Sequence, residues 1–279
     1  MAIEPEAVRS RMDEILASWE MDAGTISLRT REHHMLGVIV FGLVSHCHHL
    51  ARGIRALDDA GLHQAAVPLV RQLIECAVTV LWVESYGVRA ARALMSEHAQ
   101  NRQQTFTEFM KSGGNVDDDA LATTEQYLAE LEDEMSSSGR KFRERCQDLE
   151  GGLRLYAFWR IASSECHAST AVADRYIAER PGTEAGVALS PDPRPGAHEA
   201  WLGTSLTMLV LASLAADRYD PARRRRTRLK EIARELGTQP RWSQTATGLK
   251  RQAAYERAQR QRARAPRPGP GKDATKTAP

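Results

Sequence analysis

The sequence of 279 residues is short of several things, and each shortage removes a class of function. Its four cysteines, Cys47, Cys76, Cys146 and Cys166, form no Cys-x-x-Cys pair, so neither a zinc ribbon nor a dithiol redox motif is indicated. They are widely scattered, and free thiols in a reducing cytoplasm are the simplest account. Aromatic residues make up 6% of the chain. β-Branched residues are also sparse, and no stretch shows the apolar–polar alternation of a half-buried strand. A Gly-rich phosphate loop and a Gly-x-Ser-x-Gly nucleophile elbow are both missing. The opening MAIEPEAVRSRMDEIL is charged and has no apolar signal core. The longest apolar runs, MLGVIVFGLV and LTMLVLASLAA, fall short of the roughly 20 residues that span a bilayer. The expectation is a soluble cytoplasmic protein with no membrane contact and no cofactor.

What is present favours helix. Ala, Leu, Arg and Glu are abundant, and a hydrophobic fraction of 42% suffices for a sizeable core. The sequence therefore reads as an all-α, multi-helix bundle. Periodicity and caps place helices over 5–20, 30–60, 63–86, 88–111 and from 117–119 towards 138. Pro68 is tolerated in the opening turns of the third of these. A further helix is expected over 153–179, then a Pro/Gly-rich loop, then a core helix over 197–217 that is apolar nearly all round.

Charge divides the chain unevenly. Residues 222–279 hold 17 Lys and Arg against 4 Asp and Glu, so residues 1–221 carry 21 basic against 32 acidic residues. This gives two expected parts: a helical bundle over 1–221 and a basic tail over 222–279 with one short helix and a disordered end. Such a tail suits RNA or DNA, with Arg223, Arg224, Arg225, Arg226 and Arg228 as phosphate contacts. It equally suits a solvated extension that touches its own acidic body. LKEIARELGTQPRWSQTATGLKRQ partly fits a helix-turn-helix, but its second half lacks a firm apolar pattern.

Chemistry concentrates in FWRIASSECHAST, residues 158–170. If helical throughout, it puts Arg160 and His167 on one face, roughly 10 Å apart. Tyr156 and Ser163 join that face, and Leu155, Trp159, Ala162 and Cys166 form an apolar seam beside it. An imidazole serves as general acid or base near neutral pH, and an arginine holds phosphate bidentately. These are parts for metal-free RNA cleavage by an adjacent 2′-hydroxyl; a polar margin beside a packing seam is the structural alternative. A second helix, AAVPLVRQLIECAVTVLWV, is apolar except for Arg71 and Glu75, which stand one turn apart. Charges there need partners. Glu75 is expected either to bridge Arg71 or to reach Arg160 or His167 on a neighbouring helix. His46 and His49 share a face and could bind a metal with a third ligand such as Cys166; no His-Glu-x-x-His spacing supports this, and no metal is expected.

Arg160-x6-His167, with Ser163 between, resembles the Arg-x4–6-His motif of the HEPN superfamily, although Ile161 stands where a polar residue usually follows the arginine. That resemblance implies a helical bundle, a dimeric arrangement and ribonuclease activity, with Arg160, Ser163 and His167 as catalytic residues. Arg71-x3-Glu75 followed by Trp159-Arg160-x2-Ser163-x3-His167 also resembles a bacterial domain family of unknown function, over roughly residues 30–215. This implies a site including Arg71, Glu75, Ser163 and His167, with Trp159 in place of an expected tyrosine and Tyr156 one turn earlier. The alternatives to a ribonuclease are a catalytically silent binding module at the same cluster and a nucleic-acid-binding protein acting through its tail.

Overall fold

A computed structural model describes residues 3–22, 34–131, 141–182 and 184–264. The two most apolar segments lie at its centre. α3 (His63–Tyr86) and α9 (His198–Ala216) have apolar side chains on nearly every face, and a helix with no polar side must be covered all round. They pack against each other, α2 (His34–Asp59) lies across both, and α1 (Pro5–Asp22) covers α2 and α9. Trp82, Leu73 and Ile74 of α3 and Leu206, Leu209 and Leu211 of α9 are fully buried in this core. α2, α3 and α9 are also long and apolar enough, by length and composition alone, to cross a membrane. Unbroken apolar runs understate this, because the helices extend through isolated polar residues.

Around that centre, α4 (Val88–Lys111) leaves α3 through Gly87 and pairs with α5 (Asp118–Leu131), whose first turn is capped by Asp117 Oδ2 accepting from the Ala120 amide at 3.1 Å. α6 (Phe142–Asp148) and α7 (Gly152–Cys166) both lie on α3. α6 is too short, at seven residues, to show a helical period in the sequence.

The helix expected over 153–179 is not continuous. α7 stops at Cys166, and His167 has extended backbone at φ −85°, ψ 145°. The Ser169 carbonyl then accepts from Val172 and Ala173, starting the single turn α8 (Thr170–Ala173). A 3-10 turn follows over 174–176. The antiparallel pair β1 (Ile177–Glu179) and β2 (Val187–Leu189) comes next, the second strand lying inside the expected loop. Local serine bonds compete with the helix here, as Ser164 Oγ and Ser169 Oγ donate to nearby carbonyls.

In the basic segment, α10 (Arg226–Glu235) buries Leu229, Ile232 and Ala233 against α9. α11 (Ala246–Arg264) adds a second helix to this segment ahead of its Pro/Gly-rich end. Thr245 Oγ1 accepts from the Gly248 amide at 3.0 Å, and Arg251 Nη1 donates to Asp148 Oδ1 at 2.8 Å. Gly248 passes so close to Tyr86 that a β-carbon would stand 2.1 Å from the phenol oxygen. Residues 265–279, the rest of the expected disordered end, lie outside the described residues.

Candidate functional site

α3 and α7 meet through the residues that the sequence singled out. Arg71 Nε donates to Ser163 Oγ at 2.9 Å, and Ser163 Oγ donates to the Trp159 carbonyl at 2.8 Å. Trp159 Nε1 in turn donates to Glu75 Oε2 at 3.1 Å, while Arg71 Nη2 stands 3.5 Å from the same oxygen. The Arg71 guanidinium also lies 4.7 Å from the Trp159 ring centroid. Tyr156 stacks on Trp159 at 5.7 Å, and Phe142 of α6 tilts against both rings.

Both expected fates of Glu75 are therefore combined, with one change of partner. It bridges Arg71 within α3 and reaches α7, but the group it meets there is the indole of Trp159. Arg160 and His167 are not its partners. The hydrogen bonds and ring packing outweigh the ion pair. A half-exposed pair contributes about 0–1 kcal/mol, whereas each hydrogen bond adds about 1 and the cation over the ring about as much again. Ser163 is buried, and its hydroxyl both accepts and donates within this junction, so it fastens α7 to α3.

Arg160 and His167 stand apart from the junction. Both are exposed, and among the described residues neither side chain has a hydrogen-bond or ion-pair partner. His167 keeps one backbone link, its amide donating to the Ser163 carbonyl at 3.2 Å. The outward side of α7 beside Arg160 also carries Leu153 and Ile161, 56% and 49% exposed.

The arginines expected to face phosphate are largely engaged by the chain itself. Arg224 stands 3.6 Å from Asp22 and Arg226 4.0 Å from Asp217. Arg228 Nη2 donates to Glu14 at 2.8 Å and its Nη1 to Glu231 at 3.1 Å. Arg225 is buried, 4.6 Å over the Trp19 ring. Arg223 is exposed, with a positive φ of 49°. The acidity of the body explains the pattern, since the basic segment finds its carboxylates there.

His46 and His49 are exposed on α2, and among the described residues no three His, Cys, Asp or Glu side chains gather as a metal centre requires. All four cysteines are free. A cleft of about 390 Å³ does adjoin the junction, lined by Glu75, Cys76, Thr79, His98 and Arg145. Arg145 is 6% exposed and donates through Nη1 to Thr79 at 3.1 Å, with Glu97 as its ion-pair partner. Glu75 Oε1 takes neither of the bonds to Arg71 or Trp159. The sequence reading missed Phe142 and Arg145; the single signal available was a basic residue three positions after an aromatic one, which is common in any amphipathic helix.

No curated protein and no solved structure matches the chain. A family model does match, over residues 37–184, a span that holds α3, the α3–α7 junction, Arg160 and His167. On that match the chain belongs to the Family of unknown function (DUF5677).

Proposed function

We propose that the protein is a HEPN-like, metal-independent endoribonuclease of the cytoplasm that acts in defence or stress response, with its cleft completed by a second copy. One observation carries this reading. The motif residues divide into a fastened group (Arg71, Glu75, Trp159, Ser163) and an exposed, unpartnered pair, Arg160 and His167. A rigid support that presents two reactive groups to solvent is what a catalytic constellation needs. Leu153 and Ile161 beside Arg160 offer an uncovered apolar strip for a second copy.

In this reading Arg160 holds the scissile phosphate bidentately and offsets the charge gathering on its oxygens. An imidazole of His167 takes the proton from the 2′-hydroxyl as that oxygen attacks phosphorus. The bond to the 5′-oxygen breaks, and the second copy's imidazole protonates the leaving oxygen. The products are a 2′,3′-cyclic phosphate and a 5′-hydroxyl. Incubating a broad RNA pool with the full chain tests this. Cleavage should persist in EDTA, vanish in His167→Ala and fall severely in Arg160→Lys, because an ammonium cannot grip phosphate in two places. A wild-type protein inert on that pool, or cleavage that survives His167→Ala, sinks the proposal.

A second reading has its own support: Glu75 and Arg145 put a carboxylate and a buried guanidinium on one cleft. A non-catalytic module would bind a small polar ligand there, and Arg145→Met would abolish that binding without affecting any RNA cleavage.

A further inference from the structure

α7 and α9 both pack on α3, and the space between them remains open at one end. There a cleft of about 740 Å³ is closed by the loop that joins α10 to α11. That volume is in the range of small-molecule sites. Its floor is apolar, built from Leu155, Met208 and Leu211, and two half-buried rings, Phe158 and Trp242, stand in its walls. Gly203 of α9 also faces open space, since a β-carbon there would meet nothing within 4 Å.

The rim of this cleft is basic. Several arginines of the bundle have carboxylate partners: Arg9 with Asp58, Arg55 with Asp13, Arg228 with Glu14, Arg251 with Asp148. Arg154 and Arg241 on this rim have none among the described residues, and both are exposed. Arg154 lies 5.8 Å from the Phe158 ring centroid. Glu150 is the one carboxylate residue on the lining, so the rim keeps an excess of positive charge. Burial, followed by repulsion from Arg241, also holds the nearby Arg218 guanidinium below its ordinary value.

We propose that this cleft binds a small planar aromatic ligand bearing an anionic group, the ring lying against Phe158 and Trp242 and the anion held by Arg154 and Arg241. A nucleotide phosphate and an aromatic carboxylate share that chemistry. Arg241 and Trp242 lie outside the family match at residues 37–184, so the site depends on the C-terminal segment of this chain. It is independent of the cleavage reading, as Phe158 points about 200° around α7 from Arg160.

Calorimetric titration of the full chain tests the proposal, with adenosine 5′-monophosphate and 2-naphthoate as probes and adenosine and inorganic phosphate as halves of the ligand. At least one probe should bind, and each half should bind about tenfold more weakly or worse. Preference for the monophosphate identifies a nucleotide site, and preference for naphthoate an aromatic-acid site. Arg154→Ala and Arg241→Ala should each weaken binding by about tenfold, as expected for loss of one charge-assisted contact. Trp242→Phe should retain most affinity and Trp242→Leu should lose it, with thermal melts confirming that each variant is folded. Failure of both probes to bind overturns the proposal. So does equal affinity for inorganic phosphate alone, or a double arginine variant that binds like wild type.

Discussion

Trp159 fills a position where a tyrosine was expected, and the difference is chemical. A phenol both donates and accepts, whereas an indole only donates, so Trp159 Nε1 needs an acceptor when half-buried. Glu75 supplies it at 3.1 Å. Trp159→Phe should keep the ring beneath Arg71 but remove the indole donor, leaving that oxygen only its longer contact with Arg71 Nη2 and costing about 1 kcal/mol in urea denaturation. His48 offers a second residue-scale test. It is buried against Trp19, its Nδ1 donates to the Val44 carbonyl at 2.8 Å, and its Nε2 accepts from Ser213 Oγ at 3.2 Å. Both ring nitrogens are thus suited by the neutral form, and burial pushes the imidazole down to about 3. The folded-state value lies below the unfolded one of about 6.5, so the unfolded chain binds the extra proton. Stability from the neutral ring is complete above about pH 6.5 and declines as pH falls towards 3, by up to roughly 1.4 kcal/mol per unit. His48→Gln should lack that part of the decline, and an identical pH–stability slope in the two proteins would show the ring does not carry it.

At the scale of elements, α7 is placed by a contact that excludes side chains. A β-carbon on Gly152 would stand 2.1 Å from the Cys146 carbonyl oxygen, so α6 and α7 join where no larger residue fits. Gly152→Ala should cost about 1–3 kcal/mol through forced backbone movement, while Leu153→Ala next to it, on the exposed side, should be near neutral. Thermal melts of the two variants separate these outcomes. The long helices were legible because each has many turns of consistent period and a stop: the expected 63–86 is α3 to the residue. The sequence suggests a helix running beyond the end of α7 because Ala171, Val172 and Ile177 continue an apolar pattern past His167. No period reveals that Ser169 starts a new turn instead. The charged pair on α3 announced that Glu75 needed a partner. Which group would supply it depended on the crossing of α7 over α3, and that crossing is fixed by Gly152 and α6, neither of which has a periodic signal. α11 is legible only as the weak second half of a helix-turn-helix fit, for a related reason. Its Arg-rich sequence has no apolar stripe, and it docks through Arg251, Gly248 and Thr245.

At the scale of the molecule, the basic segment is packed on the bundle as far as Tyr255. Ile232 is fully buried, so Ile232→Ala should lose about 2–5 kcal/mol of stability. Truncation after Pro221 should expose the surfaces of α9 and α1 that α10 covers, giving a lower melting temperature and a tendency to aggregate. A truncated chain that melts like the full one would show that α10 adds nothing to the core. α10 also ties itself to α1: Arg11 donates to Glu235 at 2.8 Å and Arg228 to Glu14, residues 224 and 214 positions apart. Closing a loop of that length is entropically slow, and contacts so distant in sequence are among the last to form. During synthesis, α1 leaves the ribosome long before α10 exists, with Glu14 and Arg11 facing water in the interim. α1 can already pack on α2 through pairs such as Arg9–Asp58 and Arg55–Asp13, but its Arg11–Glu14 edge waits for α10, and a nascent chain stalled short of α10 presents to chaperones and proteases a bundle with that edge still uncovered.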